Sequence, residues 1–220
     1  SIVLLAVKEN SYVLEYILRY ISPEFRADRD VILAAVTQTG RHLYFASKEL
    51  QADREVVLTA VTTNSVSLEY ASNRLKGDIE FILAAVSKNG MVLQYVYAIF
   101  NDDKGVVLAA VTQNGMALEF ASLKLKGDRD VVLAAVTQNG NALKYAYVTL
   151  KRDNQVVMAA VKQNGVALYY ASSELKGDKE VVLAAVKQNG IVLYHASSEL
   201  QGDKEVVLAA VNKMVLHYTM

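Results

Sequence analysis

Aspartate recurs at one spacing along the chain: Asp28, Asp53, Asp78, Asp103, Asp128, Asp153, Asp178 and Asp203, each 25 residues from the last. In most cases a second acid follows two residues later, as in Asp128/Asp130, Asp178/Glu180 and Asp203/Glu205. Two carboxylates in one cleft can share general acid and general base work. Recurrence points elsewhere. A catalytic pair is needed once, whereas an acid at the start of a helix is useful every time, because it accepts unpaired N–H groups of the first turn and complements the helix dipole. The aspartates are therefore read as caps. His195 falls in the slot otherwise filled by Phe45, Tyr70, Tyr95, Phe120, Tyr145 and Tyr170, which makes it a packing residue rather than a ligand or base; His42 and His217 are the other histidines. Ser47, Ser72, Ser122, Ser172 and Ser197 share one position with no matched His and Asp partners, and are read as back-bonding or close-packing serines rather than nucleophiles. No phosphate loop, dinucleotide fingerprint or H-E-x-x-H is present. No catalytic, cofactor-binding or metal-ligating residue is assigned, no cofactor is expected, and the chain is read as non-enzymatic.

A second chemistry to weigh is base recognition. The repeated aromatic could stack bases while Gln113, Gln138, Gln163 and Gln188 read them, as other helical repeats read RNA one base at a time. Lys126, Arg129, Lys151, Lys176 and Lys179 alternate with acids, so no phosphate track results. Lys+Arg and Asp+Glu are equal at 23 each. Nucleic acid is thus the alternative reading rather than the favoured one.

The elements that position these residues follow from one repeat. Asp128 starts a helix, and Val131 to Val136 form a run with few polar gaps, so only Asp130, Ala134, Thr137 and Gln138 share an outward arc. Asn139–Gly140 ends the helix, with glycine expected in the left-handed conformation. Where the glycine is absent, Asn10–Ser11 and Asn64–Ser65 are expected to place Asn there and cap the next helix with Ser. A second helix carries Leu143, Tyr145, Ala146 and Leu150 inward and stops at Lys-Gly-Asp, as at Lys176–Asp178. The expectation is a hairpin of two helices of about ten residues each, too short to stand alone and stabilised by stacking on neighbours. Strands are excluded because V-V-L-A-A-V does not alternate. The fold class is all-α, a right-handed α-solenoid of stacked two-helix hairpins with about nine repeats. The single array spans 1–220: a first repeat at 1–27 with an insertion near Pro23, regular repeats over 28–202, and a truncated last repeat at 203–220 that lacks the Asn-Gly turn.

The stretch D-K-E-V-V-L-A-A-V-K-Q-N-G-I-V-L-Y-H-A-S at Asp178–Ser197 resembles an uncharacterised family of short helical repeats, D-x-E-V-V-L-x-A-V-x-x-N-G-x-x-L-x-x-A-S-x-x-L-K-x-D. The resemblance covers nearly the whole chain. It implies occurrence in long arrays in bacterial, protist and giant-virus proteins, and brings no assigned activity or catalytic residue.

Composition narrows the rest. The chain has no cysteine, which excludes disulfides and thiol chemistry. Although 53% of residues are hydrophobic, no apolar stretch nears the ~20 residues of a membrane span. Lys8 and Glu9 interrupt any signal-like start. A soluble, intracellular protein is expected.

The candidate contacts are the places where one repeat differs from the others. Three residues beyond the aromatic slot the chain reads Lys48, Asn73, Ala98, Leu123, Val148, Ser173, Ser198. Ile99 stands where Glu49, Arg74, Lys124, Glu174 and Glu199 stand elsewhere, and Tyr97 and Tyr147 replace the usual serine in repeats that also lose the glycine stop. With Met91 and Met116 nearby, Met91, Tyr97, Ala98, Ile99, Met116, Leu123, Tyr147 and Val148 are the expected partner-binding residues of an apolar ridge. The function this suggests is a protein-binding scaffold or peripheral subunit of an assembly, with a non-catalytic segment of a larger enzyme or effector as a further alternative.

Overall fold

A computed structural model of the chain describes residues 18–20 and 23–218, with side chains to Val215. The described residues are all-helical, and their contacts gather into two compact units, residues 1–113 and 114–220. Asn10–Ser11 and the side chain of His217 lie outside the described residues.

In the first compact unit a short helix at Pro23–Arg26 precedes four long ones: α1 (Arg29–Gln38), α2 (Arg54–Thr63), α3 (Ile79–Lys88) and α4 (Lys104–Gln113). Each packs on the next. The second contains α5 (Arg129–Gln138), α6 (Asn154–Gln163), α7 (Lys179–Gln188) and α8 (Lys204–Tyr218), packed in the same serial way. Every aspartate of the ladder caps the helix that follows it: Oδ1 of Asp28, Asp53, Asp78, Asp103, Asp128, Asp153, Asp178 and Asp203 accepts the N–H three residues on. The core comes from one face of each helix, as with Val131, Val132, Ala135 and Val136 of α5. α8 runs on as one fifteen-residue helix, because no Asn-Gly interrupts it.

The second arm of the repeat is not one ten-residue helix. It is a 3₁₀ segment such as Gly140–Tyr145, an extended step at Ala146, and a short final turn such as Leu150–Arg152. The break has a cause in the neighbouring repeat. The residue after the alanine donates its backbone N–H back to the junction carbonyl of the repeat before: Ser47 to Arg26, Ser72 to Gln51, Tyr147 to Lys126, Ser172 to Lys151 and Ser197 to Lys176, at 2.8–2.9 Å. That bond draws the chain out of the helical path, and Ala146 adopts φ −64°, ψ 148°. The serine then restarts the chain. Oγ of Ser72, Ser122, Ser172 and Ser197 accepts from the N–H three residues on, so these serines are N-caps. Tyr145, expected in the core, is only half-buried, whereas Leu143, Ala146 and Leu150 are buried.

The Asn-Gly turn also departs from expectation. No described residue, glycine included, has positive φ. The asparagine is extended (Asn139 φ −148°, ψ 108°) and its Oδ1 caps the 3₁₀ segment by accepting from the N–H two residues on. Asn64 does the same for Val66 ahead of Ser65. Glycine is required here by the next repeat rather than by its own dihedrals. A Cβ on Gly140 would stand 2.3 Å from the Ala160 carbonyl oxygen, and one on Gly115 2.3 Å from that of Ala135. The glycine of the Lys-Gly-Asp junction is of another kind. Gly127 has φ −98°, and a Cβ there would meet its neighbours only at ordinary van der Waals distance, which is why Asp102 and Arg152 can stand at this place in other repeats.

Candidate interaction surfaces

Polar groups that sequence patterns offer for chemistry are largely consumed between repeats. While Oδ1 of each aspartate caps its helix, Oδ2 of Asp53, Asp78 and Asp153 accepts from Arg29, Arg54 and Arg129 of the repeat before, and that of Asp203 from Lys179. Lys179 and the Val206 N–H hold the Asp203 carboxyl below its ordinary value. For Asp153, partial burial pushes upward but is outweighed by Arg129 and the Val156 N–H, so the net direction is again down. Three of the four glutamines considered as base readers are likewise occupied: Oε1 of Gln113, Gln138 and Gln163 accepts the N–H of Gly90, Gly115 and Gly140, each at 2.6 Å. They belong to the joint between repeats.

The predicted ridge residues fall in two groups. In the first compact unit, Tyr97 is 43% exposed, Ile99 74%, and Ala98 also faces solvent, while Met91 is half-buried. Tyr97 crosses to the preceding repeat, its hydroxyl 3.2 Å from Asn73 Oδ1, and makes no cap for the turn Ala98–Asn101. In the second compact unit, Leu123 is 76% exposed, Tyr147 52% and Val148 57%, with Met116 half-buried. Tyr147 lies against the turn that carries Leu123, its Cβ 3.8 Å from the position a Cβ on Gly127 would take. Ile99, Leu123, Tyr147 and Val148 leave half or more of their surface in solvent. Polar residues would sit there as readily, and in other repeats they do.

A second exposed cluster escaped the sequence reading. Tyr169 and Tyr194 are exposed in consecutive repeats, and the half-buried His195 ring lies 4.9 Å from Tyr169 and 3.8 Å from Tyr194. Burial and the Lys176 charge lower the His195 pKa. Val166 and Ile191 are exposed as well, and a cavity of about 400 Å³ opens beside Ile191, Tyr194 and Met214. The signal was available in the slot just before the aromatic one, which reads Tyr44, Glu69, Gln94, Glu119, Lys144, Tyr169, Tyr194. The buried His42 places Nδ1 3.2 Å from the Ala35 carbonyl oxygen, a fold contact. Among the described residues no helix is long and apolar enough to cross a membrane.

The repeat seen in these elements has a counterpart. The family described as a domain of unknown function, DUF4116, matches residues 1–51, 53–100, 103–151, 142–176, 153–201 and 178–218. The chain belongs to this family. Four of its six matches begin at an aspartate of the 25-residue ladder: Asp53, Asp103, Asp153 and Asp178. No curated protein and no solved structure matches the chain.

Proposed function

We propose that this DUF4116 chain is a non-enzymatic protein-binding scaffold, or a peripheral subunit of a larger assembly, built as a right-handed α-solenoid of about nine stacked repeats. One observation carries the reading: at positions that are charged or polar in other repeats, Ile99 and Leu123 hold large apolar side chains about three-quarters exposed. Exposed apolar groups of this kind cost solubility and add nothing to the core, which is the pattern of a surface covered by a partner. Serial packing and inter-repeat bonds would pre-organise that surface, so docking would freeze few degrees of freedom. The polar ladder between repeats supports the non-enzymatic part, since its carboxylates are already spent on caps and ion pairs.

The test uses the whole chain as bait in an extract of the organism that encodes it, beside a variant carrying Ile99→Asp, Leu123→Asp and Val148→Asp. The expected result is a protein captured by the native chain and lost by a variant with unchanged circular dichroism and unfolding midpoint. A variant that unfolds would show these residues to be structural, and one that still captures the same protein would place its docking elsewhere.

A further inference from the structure

Asparagine followed by glycine is the dipeptide whose side-chain amide is most easily lost, because the glycine nitrogen has no Cβ beside it to hinder attack. That nitrogen bonds to the Asn Cγ and the Cγ–Nδ2 bond breaks. Ammonia leaves with the proton the glycine amide gives up, and a five-membered succinimide remains. Water then opens either ring C–N bond to give aspartate or isoaspartate. The chain carries this dipeptide at Asn89, Asn114, Asn139, Asn164 and Asn189.

The structure does not treat them alike. At Gly90, Gly115 and Gly140 the attacking nitrogen is tied up, its N–H donated at 2.6 Å to Gln113, Gln138 and Gln163 of the following repeat. Opposite Gly165 the slot holds Gln188, which does not take the Gly165 N–H, and opposite Gly190 it holds Lys213, 23 residues on as the glutamines are. An ammonium has three donors and no acceptor, so it cannot hold the amide. The carboxamide itself is placed equally in all of them: Asn189 Oδ1 accepts from Ile191 at 3.1 Å, as Asn139 Oδ1 does from Asn141. The difference therefore lies at the nucleophile. Water, the second reactant, has access too, since a cavity of about 350 Å³ is lined by Asn189, Gly190 and Lys213, and by Asn164 and Gly165 as well.

We propose that Asn189 is a spontaneous modification site of the folded protein, converting to aspartate or isoaspartate, with Asn164 on the same cavity converting at a comparable rate, while Asn89, Asn114 and Asn139 are held back by the glutamine of the next repeat. The product sets a carboxylate beside Lys213 and next to the exposed Ile191 and Tyr194, so the turn passes from neutral to anionic. Conversion to isoaspartate also lengthens the main chain by one carbon at the residue that caps the Gly190–His195 segment.

The experiment follows the folded, full chain at neutral pH and 37 °C, with peptide mass spectrometry for the gain of about 1 Da and isoaspartyl methyltransferase labelling to separate the products. Releasing one hydrogen bond of ordinary strength corresponds to about fivefold in rate, so Asn189 should convert at least about fivefold faster than Asn139. Lys213→Gln restores the acceptor and should bring Asn189 down toward the Asn139 rate. Lys213→Met supplies neither acceptor nor charge and should leave Asn189 fast. In urea the five sites should converge on one rate. Equal rates for Asn189 and Asn139 in the folded chain overturn the proposal, as does an unslowed Lys213→Gln variant. Slowing by Lys213→Met to the level of Lys213→Gln would do so too, by making the cation the cause. A ranking that persists in urea would also overturn it.

Discussion

Two glycine-to-alanine changes, Gly140→Ala and Gly127→Ala, should move stability in opposite directions. A Cβ at Gly140 would lie 2.3 Å from the Ala160 carbonyl oxygen and 3.1 Å from both Cβ and N of Asn164. Relief requires α6 and the Gly140 turn to part by about 1 Å, enough to forfeit much of the contact energy of the atoms that face each other. Overpacking of this sort costs about 1–3 kcal/mol. The same displacement stretches the 2.6 Å bond from Gly140 N–H to Gln163, worth about 1 kcal/mol. Against this, alanine restricts the unfolded chain and returns about 0.4–1 kcal/mol. The net expectation is a loss of about 2–3 kcal/mol, or roughly 5–10 °C in Tm for a chain of this size. At Gly127 the nearest atom to a new Cβ is 3.4 Å away and φ is −98°, so only the unfolded-state effect remains and Gly127→Ala should gain about 0.5 kcal/mol. Urea unfolding followed at 222 nm reads both. If glycine were needed for left-handed backbone, both variants would lose stability together, and that outcome, or an unchanged midpoint for Gly140→Ala, would refute the close-approach reasoning.

The cap on the third element gives a smaller effect: Ser172→Ala should cost about 0.5–1 kcal/mol in urea unfolding while Ser172→Asn keeps most of it, since Oγ accepts the Leu175 N–H. The ion pairs between repeats predict a pH dependence. An unfolded aspartate takes up its proton at about 3.9, and the folded Asp153 and Asp203 carboxyls do so lower, so their contribution is whole above that value and is lost as pH falls through the folded value. Asp153→Asn keeps a capping side chain and loses only the pair with Arg129, so it should cost about 0.5 kcal/mol at pH 7 and converge with the native chain in unfolding scans as pH falls through the lowered Asp153 value. The triple change at Ile99, Leu123 and Val148 should alter stability by no more than about 0.5 kcal/mol per site while removing partner capture, because all three side chains are exposed.

What was legible in the chain was local. A cap needs only an acid and the next three residues, so the eight aspartates mark the starts of the eight long helices that follow them among the described residues. The valine run likewise identified the buried face. What stayed hidden depends on atoms a repeat away. Nothing within Gly140–Leu150 says that Tyr147 N–H will bond Lys126 O, and without that bond the segment reads as one helix. The Asn-Gly turn was likewise assigned to left-handed backbone because that is the usual reason for glycine after a helix. The actual reason, the Ala160 carbonyl, lies 20 residues on. Among candidate contacts, Ile99, Leu123, Tyr147 and Val148 could be found because each breaks a column of polar residues. Tyr169 and Tyr194 were harder to see, since their column mixes charge and aromatics from the start and no single departure marks them.

Tyr97 and Tyr147 bear on both the stability of the fold and the proposed use of its surface. Both keep the backbone path that serine follows elsewhere, with Tyr147 N–H still bonded to Lys126 O. Both forgo the side-chain cap that Ser72, Ser122, Ser172 and Ser197 supply, a sacrifice of about 0.5–1 kcal/mol each. Burial offsets that loss: with Tyr147 52% and Tyr97 43% exposed, on the order of 100 Å² of each ring is covered, worth about 2 kcal/mol at about 25 cal/mol per Å². The tyrosines stand beside Ile99 and Val148, two more departures toward apolar surface. Apolar area turned outward at the same positions where a serine cap is given up is what the proposed contact surface would require.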